Sequence, residues 1–190
     1  MSIFKKLLPA AMPRPPVATD SLLAAANFAI LILRIGLIVG MIGAGFTLIV
    51  NIFGLGAFLT GFGHPPPGAS VGLSLRIILY LGLGLAALGF INSFFMHLTR
   101  MIATVGLGTP FVAENADRLT RMGWLMLWAQ MIAIPMGLVA SSIGPAFIRP
   151  AFQSFLGFSW GGVILALTMF VLARIFRMGT QMNDEIEGTV

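Results

Sequence analysis

Side chains able to attack, exchange protons or hold a metal are few in this chain: two histidines, six carboxylates and no cysteine among 190 residues. Without cysteine there is no thiol nucleophile, thiolate metal site or disulfide. Met96, His97 and Met101 are spaced like a soft-metal cluster, yet the 12 methionines are scattered through every apolar stretch, where methionine is ordinary packing material. Paired carboxylates, a Ser-His-Asp set, a phosphate loop and a His-Glu-x-x-His helix are all missing from the sequence. The chain therefore reads as a non-enzyme with no metal or cofactor. Its densest run of polar chemistry is Gly108 to Arg121. Thr109 reads as a helix cap, Pro110 as a first-turn residue, and Glu114/Arg118 and Asp117/Arg121 as ion pairs at four-residue spacing. Phe111, Val112, Ala116 and Leu119 would form an apolar face on the membrane surface or under a bundle. Phe111, Glu114, Asn115 and Arg118, an aromatic anchor ringed by polar groups, are the expected contacts for a partner.

The elements that must position this segment are membrane spans. With 58% hydrophobic residues, 9% charged and a mean hydropathy of +0.99, the chain falls outside the range of soluble domains. A crossing takes roughly 20 apolar residues. Four such runs are present, within Leu22 to Leu55 and over about Ile77–Met96, Met122–Ile143 and Phe155–Ala173. The whole of 1–190 reads as a single four-span domain. Its segments 1–20, 99–121 and 178–190 form the N-terminal piece, an inner loop and a tail. Gly61, Gly63, Pro65, Pro66, Pro67 and Gly68 mark the outer loop over residues 57–75, and Gly144-Pro145 and Arg149-Pro150 mark a second outer turn.

Charge sets the expected orientation. Of 11 Lys and Arg, Lys5, Lys6, Arg14, Arg34, Arg100, Arg118, Arg121, Arg174 and Arg177 share one side with all six carboxylates, while Arg76 and Arg149 lie on the other. Basic residues mark retained loops, so both termini are expected in the cytoplasm. His64 and His97 then fall on opposite faces and cannot share a metal. The first apolar run is too long for a cleaved signal peptide, and reads as an uncleaved anchor. Arg34, about one turn inside it, is expected to snorkel to the headgroups. A formal charge of +5 dispersed over span ends does not describe a nucleic-acid surface, so no direct nucleic-acid binding is expected.

Within the spans, Gly36, Gly40 and Gly82 have the small-residue spacing that lets helices approach in lipid, between spans one and two or in a homo-oligomer. Gln130 and Pro135 interrupt span three, the proline by removing a backbone donor. The expected fold is an all-α membrane protein of four transmembrane helices. A short amphipathic cytoplasmic helix is expected between spans two and three.

The run Gly108-Thr-Pro-Phe111-Val-Ala-Glu-Asn115-Ala-Asp-Arg-Leu119, with Leu172-Ala-Arg-Ile-Phe176-Arg177-Met-Gly179 and the terminal Glu187-Gly-Thr-Val190, resembles the bacterial membrane family called domain of unknown function 2975. The likeness lies in the inner loop, spans three and four and the tail; spans one and two match only as apolar runs. The resemblance implies a multi-pass inner-membrane protein without established chemistry, and a partner among small helix-turn-helix regulators. The function expected is a non-enzymatic regulatory or sensory component presenting its inner loop and tail to a soluble protein. The alternative is a small oligomeric channel or transporter subunit, with Gln130, Pro135 and the glycine-rich faces lining the pore.

Overall fold

The computed structural model describes residues 21–59, 70–143 and 157–188. They form four helices: α1 (Ser21–Leu59), α2 (Val71–Gly106), α3 (Ala113–Ile143) and α4 (Trp160–Gly188). All four are long and apolar enough to cross a membrane. At 1.5 Å per residue the 36 residues of α2 extend about 54 Å. That exceeds the roughly 30 Å of hydrocarbon, so its ends project into the headgroups and beyond.

The helices pack in chain order: α1 on α2, α2 on α3, α3 on α4. Leu37, Tyr80, Leu88, Met136, Ala140 and Ile143 form the shared core of α1, α2 and α3. α3 is the middle of the stack. Its buried Ala129, Ala133, Met136 and Ala140 make one stripe at spacings of four, three and four, and α4 answers with buried Ala166 and Ala173. Most of α1 stays exposed, including Phe28, Ile42, Phe46 and Phe53. A helix apolar all round and open on most of its surface is one that lipid covers. Hydroxyls inside the spans bond back along their own helix, Thr47 to Gly43 O, Ser93 to Gly89 O and Thr168 to Ile164 O, each at 2.8–2.9 Å, which removes their cost in hydrocarbon.

Four expectations change. No separate amphipathic helix stands between spans two and three: α2 runs on to Gly106, α3 already begins at Ala113, and only 107–112 is non-helical. Arg, Glu and Leu between 99 and 121 are good helix formers, and no stop lies between Arg121 and Met122, so the charged turns are continuous with the apolar ones. Thr109 closes α2 instead of capping α3: its N–H and hydroxyl both donate to Thr104 O, at 3.1 and 3.4 Å. The sharp reversal falls on Gly108, whose φ of +74° only glycine adopts without strain. The tail expected from 178 onward continues α4 as helix to Gly188. α2 also starts earlier than its apolar run, capped by Ser70, whose side chain accepts from Leu73 N–H at 3.2 Å. Residues 1–20, 60–69 and 144–156, which carry Lys5, Lys6, Arg14, His64 and Arg149, lie outside the described residues.

Candidate functional site

The charged end of the bundle is built where α2 stops, α3 starts and α4 continues past its apolar stretch. Asn115 is the joint. It has no exposed surface, and its amide donates to Thr104 Oγ1 at 2.7 Å and to Pro110 O at 2.9 Å. Its side-chain oxygen accepts from an Arg118 guanidinium N–H at 2.7 Å, and its backbone N–H donates to Val112 O at 3.0 Å. One asparagine thus ties the end of α2, the connecting turn and the first turn of α3, with every strong donor used. Beside it, Phe111 leaves the turn to meet α4: its ring centroid lies 5.3 Å from that of Phe176, and it covers Gly179 so closely that a Cβ there would stand 2.7 Å from Phe111 Cδ1. Asp117 reaches the same helix through Arg177 at 3.5 Å.

Around this joint His97 and Arg100 of α2 and Glu114, Asp117, Arg118 and Arg121 of α3 line a pocket of about 200 Å³. Neither ion pair expected along α3 forms among the described residues: Arg118 turns to Asn115 and Asp117 to Arg177. Among the described residues no group of three His, Asp, Glu or Cys is placed to hold a metal.

The expected site residues are thereby separated by role. Glu114 is exposed, Phe111 keeps 46% of its surface open, and Arg118 is half-buried. Asn115, fully enclosed, can act on a partner only by holding Arg118 and the turn in place. Gly36, Gly40 and Gly82 stand on open faces, where an added Cβ would meet nothing within 4 Å. The close approaches within the chain are made by Gly123 under Phe170, Gly162 under Gln130 and Gly179 under Phe111, all between α3, its leading turn and α4. The three contacts follow the antiparallel course of α4 along α3, within about a turn of one register, and that alignment is set by packing that no local spacing announces. Gln130, a pore-lining residue only under the channel alternative, accepts from Ser159 N–H at 2.8 Å ahead of α4. Arg34 is half-buried, and its Nε is enclosed without a hydrogen-bond partner among the described residues.

The sequence of this joint and of all four helices matches one family model, over residues 23–190. The chain belongs to the family described as Protein of unknown function (DUF2975). The match includes spans one and two, which by themselves had read only as apolar runs. No curated protein and no solved structure matches the chain. For this DUF2975 protein the geometry of the charged end must therefore carry the functional argument.

Proposed function

We propose that this DUF2975 protein is a non-enzymatic regulatory component of the bacterial inner membrane, with its termini in the cytoplasm and its charged end offered to a soluble partner. The small helix-turn-helix regulators implied by the family resemblance are the partner class of choice. The observation that supports this reading is the joint itself. Buried, specific polar bonds concentrate where Asn115, Thr104, Pro110 and Arg118 lock the turn, and Phe111 pins that turn to α4. Such a joint fixes the backbone that carries the exposed Glu114, Asp117 and Arg121, and a preorganised backbone of this kind lowers the ordering cost of binding.

The test is site-specific photocrosslinking in native membranes, with the crosslinker replacing Glu114 or Arg121 and, as a control, the lipid-facing Ile164. The expected result is a discrete soluble-protein adduct from positions 114 and 121 and none from 164. Lipid adducts alone from all three, together with solute flux through vesicles containing the purified chain, would replace this reading with the channel alternative.

A further inference from the structure

Three guanidiniums converge on one small pocket. Arg100, Arg118 and Arg121 line the cavity of about 200 Å³ together with His97, and all three lie within electrostatic range of that imidazole. Like charges held together repel, and the two carboxylates at the rim offset them incompletely. Asp117 is drawn to Arg177, and Glu114 forms no ion pair among the described residues. Arg118 spends one N–H on Asn115 and keeps its others; Arg100 and Arg121 are exposed, with no hydrogen bond or ion pair among the described residues. His97 Nδ1 is buried and has no hydrogen-bond partner among the described residues. The lining is therefore a set of unspent donors around a space of small-anion size, and forked guanidinium N–H groups suit the tetrahedral oxygens of phosphate.

Depth indicates where the phosphate comes from. Arg121 precedes Trp124 by three residues, about 4.5 Å along α3. Trp124 and Trp128 each leave 53% of their surface open, as indoles anchored at a membrane interface do. The pocket thus sits at headgroup level, between two helices, where basic pockets capture anionic lipids. We propose that it binds a phosphate group among Arg100, Arg118 and Arg121, and that a phospholipid headgroup is the source its depth favours. This site stands whether or not a protein docks on the charged end.

The test uses the full chain purified in detergent and mixed with equal amounts of phosphatidylglycerol and phosphatidylcholine, with bound lipid counted by native mass spectrometry. The expected result is preferential retention of phosphatidylglycerol. That preference falls roughly fivefold for Arg121→Gln or Arg100→Gln and about 25-fold for the pair. Arg174→Gln, exposed at the same end but outside the pocket, leaves it unchanged. A second arm titrates inorganic phosphate. Phosphate that binds the unmodified chain, and not the double variant, identifies a soluble source for the same site. Absence of both phosphatidylglycerol preference and phosphate binding overturns the proposal, as does an equal loss in Arg174→Gln, which would make the attraction a diffuse surface effect. If the double variant aggregates, the two single variants decide by the same criteria.

Discussion

Replacing Asn115 by Ala removes three side-chain bonds at once from a site with no access to solvent. The bonds to Thr104 Oγ1 and Pro110 O are worth about 1 kcal/mol each, and the charge-assisted bond from Arg118 about 1.5–3 kcal/mol. Arg118 and Pro110 are only half-buried, so water recovers part of what they lose. A net destabilisation of about 2–4 kcal/mol remains. Glu114→Ala, at the adjacent position, removes an exposed carboxylate without an ion pair and should stay within about 0.5 kcal/mol of the unmodified chain. The assay is reversible unfolding in mixed micelles of rising dodecyl sulfate fraction, followed by helical circular dichroism. An Asn115→Ala chain as stable as Glu114→Ala would refute the joint as a source of stability.

Other substitutions test the packing and the orientation. Gly179→Ala and Gly123→Ala drive a Cβ to 2.7 Å from the Phe111 ring and 2.8 Å from the Phe170 ring, and each should cost about 1–3 kcal/mol in the same unfolding assay. Gly36→Ala, Gly40→Ala and Gly82→Ala meet open space and should be neutral or stabilising by up to about 1 kcal/mol; a loss would place those glycines in a contact between copies of the chain. Asp117→Asn breaks an ion pair whose two side chains are 58% and 65% exposed, and should change stability by less than about 1 kcal/mol, a difference that shrinks further as salt rises. For orientation, a cysteine at Gly72 should react with an impermeant reagent added outside intact cells, while one at Ala113 should be protected; the reverse pattern would invert the topology.

The four helices were legible because hydrophobic length is an additive property of the chain: each apolar run holds about the number of residues a crossing takes, irrespective of its neighbours. Their ends were not. A hydropathy window marks what lipid covers, whereas a helix ends where its backbone bonds end, and Arg, Glu and Leu carry α2 and α3 well past the apolar stretch. Thr109-Pro110 has the look of a helix start, and the structure uses it to finish the preceding helix, because Gly108 at φ +74° aims the Thr109 N–H and hydroxyl back at Thr104 O.

Pairing along one helix misled the reading of the charged end in the same way. Glu114/Arg118 and Asp117/Arg121 have the favourable spacing, but such exposed pairs are worth only about 0.2–0.5 kcal/mol. A buried amide needing its acceptor filled outbids that for Arg118, and Arg177 on the next helix competes for Asp117. The choice depends on which helix lies alongside, which local spacing does not encode. The packing of α4 against α3 decides it: the face of α3 that sets Gly123 against Phe170 also holds Asp117 to Arg177, while Phe111 reaches Gly179 from the leading turn. This packing leaves Arg121 with no ion pair among the described residues, and the contact of α2 with α3 brings Arg100 beside it in one pocket. The cationic pocket is thus a consequence of how three helices align: Arg177 of α4 draws Asp117 aside while α2 and α3 bring Arg100, Arg118 and Arg121 to one space, and that is the charge that makes the pocket attractive to phosphate.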